Sequence, residues 1–170
     1  MWNHTDQPLA VLITFRCYGT WLHGDERGSI DRHNNKYGDP KYPPTAHWNQ
    51  ISSDRLKHAP VKLDAQRRKA VEDAIRETCE RRGWTLLAIS VRTNHLHVVV
   101  MIGSKEPELV LIALKANATR QMRENGCWPH EHSPWSEKGS KRRLWNDRSV
   151  ANAVDYVING QGDDLPDFDY

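Results

Sequence analysis

No apolar run in this chain approaches the ~20 residues needed to cross a bilayer, which argues against a membrane-spanning reading. The opening MWNHTDQP lacks a basic start followed by a long apolar run, so no signal peptide is expected. Cysteine is scarce: Cys17, Cys79 and Cys127 are odd in number and scattered. That excludes a disulfide framework and a close Cys-x-x-Cys zinc knuckle, and it fits the reducing cytoplasm. No internal repeat suggests a solenoid. Strong net charge is also missing, since 24 Lys and Arg face 22 Asp and Glu.

At 170 residues, a single domain over 1–162 is the expectation, followed by an acidic tail at 163–170. Hydrophobic residues make up 38% and charged residues 27%, enough for a real core under a wet surface. The mean hydropathy of -0.78 predicts long surface loops. The tail carries Asp163, Asp164, Asp167 and Asp169, and setting these aside leaves 24 basic against 18 acidic side chains. The tail holds little apolar surface and is expected to contribute little to the fold. Basic groups concentrate at Arg67, Arg68 and Lys69, at Arg81 and Arg82, and at Lys138, Lys141, Arg142 and Arg143. A phosphate backbone would favour such clusters, although they are also ordinary solvated surface.

Residues 9–17 predict a first strand. Residues 19–60, broken by glycines and by Pro40, Pro43, Pro44 and Pro60, predict a long irregular excursion with one short helix near 52–58. Asp64 caps a predicted helix through Arg82, with Gly83 as its stop and Val71, Ala74, Ile75, Thr78 and Cys79 as its buried face. Thr85–Val91 and the strand from His95 read as hairpin partners across Arg92, Thr93 and Asn94. Residues 106–124 predict a helix with Leu111, Leu114, Ala118 and Met122 inward and Lys115 and Arg120 outward. Trp135–Trp145 predicts another β segment, with a turn at Lys138 and Gly139. A helix capped by Ser149 follows, with Ala151, Ala153, Val154, Val157 and Ile158 as its buried side. The fold class is therefore α+β. It is a ferredoxin-like βαββαβ antiparallel sheet with its helices on one face and an added C-terminal helix.

The most informative stretch is NHLHVVVMI, residues 94–102. Residues two apart on a strand share a face, so His95 and His97 point the same way from a rigid apolar element. That suits a two-histidine metal platform; the bland alternative is two polar side chains on a half-wet strand. Tyr156 lies within SVANAVDYVINGQ, residues 149–161. A histidine–hydrophobic–histidine strand followed much later by a tyrosine-bearing helix resembles the HUH single-tyrosine nucleases. The similarity is to the IS200/IS605-like transposases, including the tyrosine transposases associated with repetitive extragenic palindromes. LAVLITFRCYGTW (9–21), LVLIALKANATRQM (109–122), RRLWND (142–147) and DYVINGQ (155–161) follow in that family's order.

The resemblance implies a metal-dependent endonuclease and strand transferase acting on single-stranded or hairpin DNA. Tyr156 would be the nucleophile, forming a 5′-phosphotyrosine, and His95 and His97 would hold Mg²⁺ or Mn²⁺. The family commonly adds a polar ligand one turn after the tyrosine. Gly160 stands there and has no side chain, so Gln161 is the candidate third ligand, with Asn159 beside it. Arg16, Arg92, Lys115, Arg120, Arg142 and Arg143 are candidate phosphate contacts. Trp48, Trp135 and Trp145 are candidate stacking surfaces or core. Tyr18, Tyr37 and Tyr42 are weaker rival nucleophiles. Family members act as monomers or as dimers with shared sites, so a homodimer stays open. Two other functions also stay open. One is a nucleic-acid binder of transposase descent that no longer cuts. The other is a metal-independent phosphoesterase, for which His130 and His132 would supply a second histidine pair.

Overall fold

The computed structural model describes residues 6–20 and 56–162. Among these, the elements run β1 (Ala10–Cys17), α1 (Ala65–Arg82), β2 (Thr85–Val91), β3 (His95–Met101), α2 (Pro107–Glu124), β4 (Trp135–Leu144) and α3 (Asp147–Asn159). The strands form one antiparallel sheet in the order β2-β3-β1-β4. This is the expected βαββαβ arrangement with its added helix.

Alternation along β1 divides the core. Val11, Ile13 and Phe15, with Leu96, Val98 and Val100 of β3, pack under Val71 and Ile75 of α1 and Leu111, Leu114, Ala118 and Met122 of α2. Ala10, Val99 and Leu144 turn to the other face and pack with Ala153 and Val157 of α3. The expectation that the helices share one face therefore holds for α1 and α2 but not for α3. The reason lies in the strands: LAVLITF and VVVMI are apolar at odd and even positions alike, so both sheet faces need cover.

Local signals set the helix ends. Asp64 accepts from the Arg67 N–H at 2.9 Å, a contact whose removal typically costs ~1 kcal/mol. Gly83 closes α1 in the left-handed region at φ 71. α3 starts earlier than predicted. Asn146 is its cap, accepting from the Ser149 N–H at 2.9 Å and the Ser149 hydroxyl at 3.1 Å, so Ser149 sits inside the first turn. Its inner stripe is Val150, Ala153, Val154 and Val157, while Ala151 and Ile158 are exposed.

The predicted turn at Lys138 and Gly139 does not form. β4 continues through these residues, with a register shift between Trp135 and Gly139 where it pairs with Cys17 and Phe15. A Cβ on Gly139 would lie 2.9 Å from the Thr14 carbonyl and 3.0 Å from Leu111, so the glycine serves close packing of α2 on the strand. Residues 56–58 are not helical; the rest of the predicted 52–58 helix, most of the 19–60 excursion and the acidic tail lie outside the described residues.

All three cysteines are buried. Burial pushes the Cys17 thiol up to about 12 and Cys79 up to about 11, leaving very little thiolate. The native protein should therefore give almost no fast reaction with Ellman's reagent at pH 8, and three equivalents after denaturation. One fast equivalent in the native state would show that a thiol is reachable.

Candidate functional site

On the second sheet face, α3 lies over β2 and β3 and brings its side chains to the start of β3. His95 and His97 stand next to each other there, their ring centroids 5.0 Å apart. Tyr156 sets the edge of its ring against His97, with centroids 5.3 Å apart and planes at 69°. Gln161, just past the helix, places its Oε1 3.4 Å from His95 Nε2. Four residues separated by as much as 66 positions thus meet at one place.

Backbone pairing orients the rings. Thr14 is the cross-strand partner of His97, and its Oγ1 lies 2.7 Å from His97 Nδ1. Asn94 Oδ1 lies 2.7 Å from His95 Nδ1. An amide oxygen only accepts, so Nδ1 of His95 carries a proton, and in the neutral form of the ring Nε2 presents a lone pair. Neither Thr14 nor Asn94 was singled out from sequence. The available signals were Thr14's place two residues before Arg16 on β1 and Asn94's adjacency to His95.

Gln161 has a similarly defined direction. Its Nε2 donates to the Tyr156 carbonyl at 3.2 Å, which turns Oε1 toward the histidines. With its proton on Nδ1, His95 would offer Nε2, and Gln161 3.4 Å away would offer Oε1, to a cation shared between them. His97 is 4% exposed, and burial, aided by the neighbouring His95 and opposed by the hydrogen bond to Gln161, pushes its pKa down to about 4. The ring is therefore neutral near pH 7, the form in which imidazole ligates metal. Among the described residues no three His, Cys, Asp or Glu side chains gather into a metal-holding group. The donor set here is two imidazoles and one amide oxygen, which fits Mn²⁺ or Mg²⁺ with its remaining positions left to water or phosphate.

Gly160 explains why position 161 supplies the amide. Its N–H closes α3 on the Tyr156 carbonyl at 2.9 Å, and a Cβ would lie 2.6 Å from that same oxygen. The chain can then turn, and Gln161 comes inward. Asn159 does not join; its amide donates to Asp155 at 2.8 Å.

The candidate phosphate contacts separate by face. Arg16 pairs across from His95, and Arg142 pairs with Leu12 on the α3 side of the sheet. Arg92 lies near the end of the helix, its guanidinium 3.9 Å from where a Gly162 Cβ would be. Arg143 points the other way and pairs with Glu106 at 3.4 Å. Lys115 does not face out as predicted. It donates to the Ser136 and Lys138 carbonyls at 2.8 and 3.2 Å, bracing α2 against β4. Arg120 lines a groove with Glu77, Arg81 and Arg82 of α1, away from the histidines. Trp135 is core: it packs edge-on to Phe15 and donates to Thr119. Trp145 is exposed, and Trp48, Tyr37 and Tyr42 lie outside the described residues. His130 and His132 sit in the connection before β4, not on a strand.

Residues 56–159 match the family model described as transposase, IS200-like. No curated protein matches the chain. Two solved structures are similar. The REP-associated tyrosine transposase bound to a REP hairpin shares 11% identity at a TM-score of 0.48, over 92% of this chain and 68% of that one. A protein assigned as a transposase from Deinococcus radiodurans R1 shares 14% at 0.45, over 96% and 98%.

Proposed function

The chain belongs to the IS200-like transposase family of single-tyrosine HUH enzymes, and from that premise we propose that it cuts and rejoins single-stranded or hairpin DNA through Tyr156. Membership implies a DNA-nicking, divalent-metal-dependent mechanism. The observation that carries the finer reading is the meeting of Tyr156, His95, His97 and Gln161 on one sheet face.

His95, His97 and Gln161 would hold the metal, with Thr14 and Asn94 fixing the histidine rings. A bound Mg²⁺ or Mn²⁺ supplies Lewis-acid polarisation of the scissile phosphate. Tyr156 is half exposed, so a strand can reach its hydroxyl and water can take the phenolic proton. Its Oη bonds to phosphorus while the bond to the 3′ oxygen breaks; that oxygen gains a proton and leaves as a 3′-hydroxyl. The strand stays on the enzyme as a 5′-phosphotyrosine. A 3′-hydroxyl attacking this adduct restores a phosphodiester and frees Tyr156, which makes the chemistry transfer and not hydrolysis alone. Arg16, Arg92 and Arg142 would steer phosphates toward this site, a reading supported by the pairing of Arg16 with His95 and of Arg142 with Leu12.

The test is a labelled hairpin oligonucleotide incubated with the protein and Mn²⁺. We expect nicking that stops on chelation and leaves label on the protein. Binding without nicking would assign the chain to non-cleaving DNA binders. Cleavage that survives chelation with no adduct would point to a metal-independent phosphoesterase.

A further inference from the structure

A second ring cluster lies outside this site and is used by none of the steps above. The segment 56–63 returns to the end of β1, where the Val61 N–H donates to the Tyr18 carbonyl at 2.9 Å. Gly19, at φ 82, allows the close approach: a Cβ there would lie 2.8 Å from the Pro60 backbone. The Tyr18 hydroxyl accepts from the Lys57 N–H at 3.0 Å. This places the His58 ring flat over His132, with centroids 3.8 Å apart and planes within 7°. His132 stacks in turn against His130 at 5.3 Å and 22°. Trp128 stands edge-on to His132 at 84°, and its indole N–H donates to the His132 carbonyl at 3.0 Å.

This column has the wrong shape for a metal site. Imidazole lone pairs lie in the ring plane, so parallel rings direct them side by side and not to one point. Nor is it core, because His58 and His130, its two ends, are exposed. Flat rings on residues open to solvent suit a flat aromatic ligand, and an unpaired nucleobase is such a ligand. Cationic groups flank the column. The Arg67 guanidinium lies 5.2 Å over the Trp128 ring, and Arg123 donates to the His130 and Glu131 carbonyls. The column is also tied to the start of the histidine strand. The Leu63 N–H donates to the Thr93 carbonyl at 2.6 Å and the Cys17 N–H to the Asn94 carbonyl at 2.9 Å, directly before His95.

We propose that the His58–His132–His130 column is a stacking platform for an unpaired base of the DNA strand that Tyr156 acts on. The proposal rests on the DNA-strand reading above and adds a contact that holds the strand without taking part in bond breaking.

The experiment measures affinity by fluorescence anisotropy for a hairpin with a single-stranded flank, and for the same hairpin with one flank base at a time made abasic. H58A should bind the intact probe about tenfold more weakly. H58F, which keeps a flat ring and loses the imidazole nitrogens, should restore most of that affinity. One abasic position should weaken wild-type binding by a similar factor and should cost H58A nothing further. Nicking by H58A at saturating DNA should match wild type. Equal affinity of H58A and wild type for every probe would overturn the platform, as would H58F binding as weakly as H58A. These outcomes are independent of Tyr156, because failure of wild type to nick, with the abasic pattern intact, would remove only the strand-transfer reading.

Discussion

Tyr156→Phe is expected to abolish strand cleavage, by on the order of a thousandfold or more, while leaving hairpin affinity within about twofold of wild type. The substitution removes one oxygen. The ring edge against His97 remains, as do the contacts of the Gly160 N–H and the Gln161 side-chain amide with the Tyr156 carbonyl. The side chain is 48% exposed, so its hydroxyl holds no core contact that the variant would lose. The loss should therefore fall on the covalent step alone. Tyr18 is a poor substitute, since its hydroxyl already accepts from backbone N–H groups of 57 and 58. Mass spectrometry of the adduct formed with a suicide hairpin and Mn²⁺ decides the matter. A peptide carrying DNA at Tyr18, Tyr37 or Tyr42, or full nicking by Y156F, would reject Tyr156 as the nucleophile.

The parts of this fold that were legible in sequence are those set by short-range rules. Asp64 and Gly83 mark the ends of α1 because capping needs only the first and last turn. His95 and His97 share a face because strand alternation has a fixed period of two. Gln161 lies 3.4 Å from His95 Nε2, just past the helix end that Gly160 closes. What sequence did not disclose depends on pairing register. Arg142 and Arg143 are neighbours and alternation puts them on opposite faces, but only the β1–β4 alignment decides that Arg142 joins the site's face while Arg143 pairs with Glu106. Lys115 read as outward because helical spacing says nothing of β4 carbonyls within its reach. Gly139 read as a turn because its reason for being glycine, the approach of Leu111, is a long-range contact. The histidine column draws on two segments 74 positions apart, His58 to His132, and no local pattern links them.

The metal assignment makes the second large prediction. Calorimetry should find one Mn²⁺ site in the wild-type protein and none in H95A/H97A, and nicking by the double variant should fall to background. Removing both imidazoles leaves Gln161 Oε1 as the remaining protein donor of the set, and a lone amide oxygen holds a divalent ion weakly. The expected grading among single changes is more discriminating than the total loss. Gln161→Ala should weaken Mn²⁺ by about tenfold, since it removes one neutral ligand and leaves both rings oriented. Asn94→Leu should weaken it comparably without touching the metal, because His95 Nδ1–H loses its acceptor and the ring loses its fixed tautomer. Gly160→Ala should act on two groups together. Its Cβ would meet the Tyr156 carbonyl at 2.6 Å and the Tyr156 ring at 3.2 Å, so relief of that contact displaces the tyrosine and the Gln161 turn alike. Its nicking should therefore drop further than its Mn²⁺ affinity does. Unchanged Mn²⁺ binding in H95A/H97A would move the ion elsewhere in the chain. Unchanged binding in Q161A alone would keep the histidines and return the third position to water or the DNA phosphate.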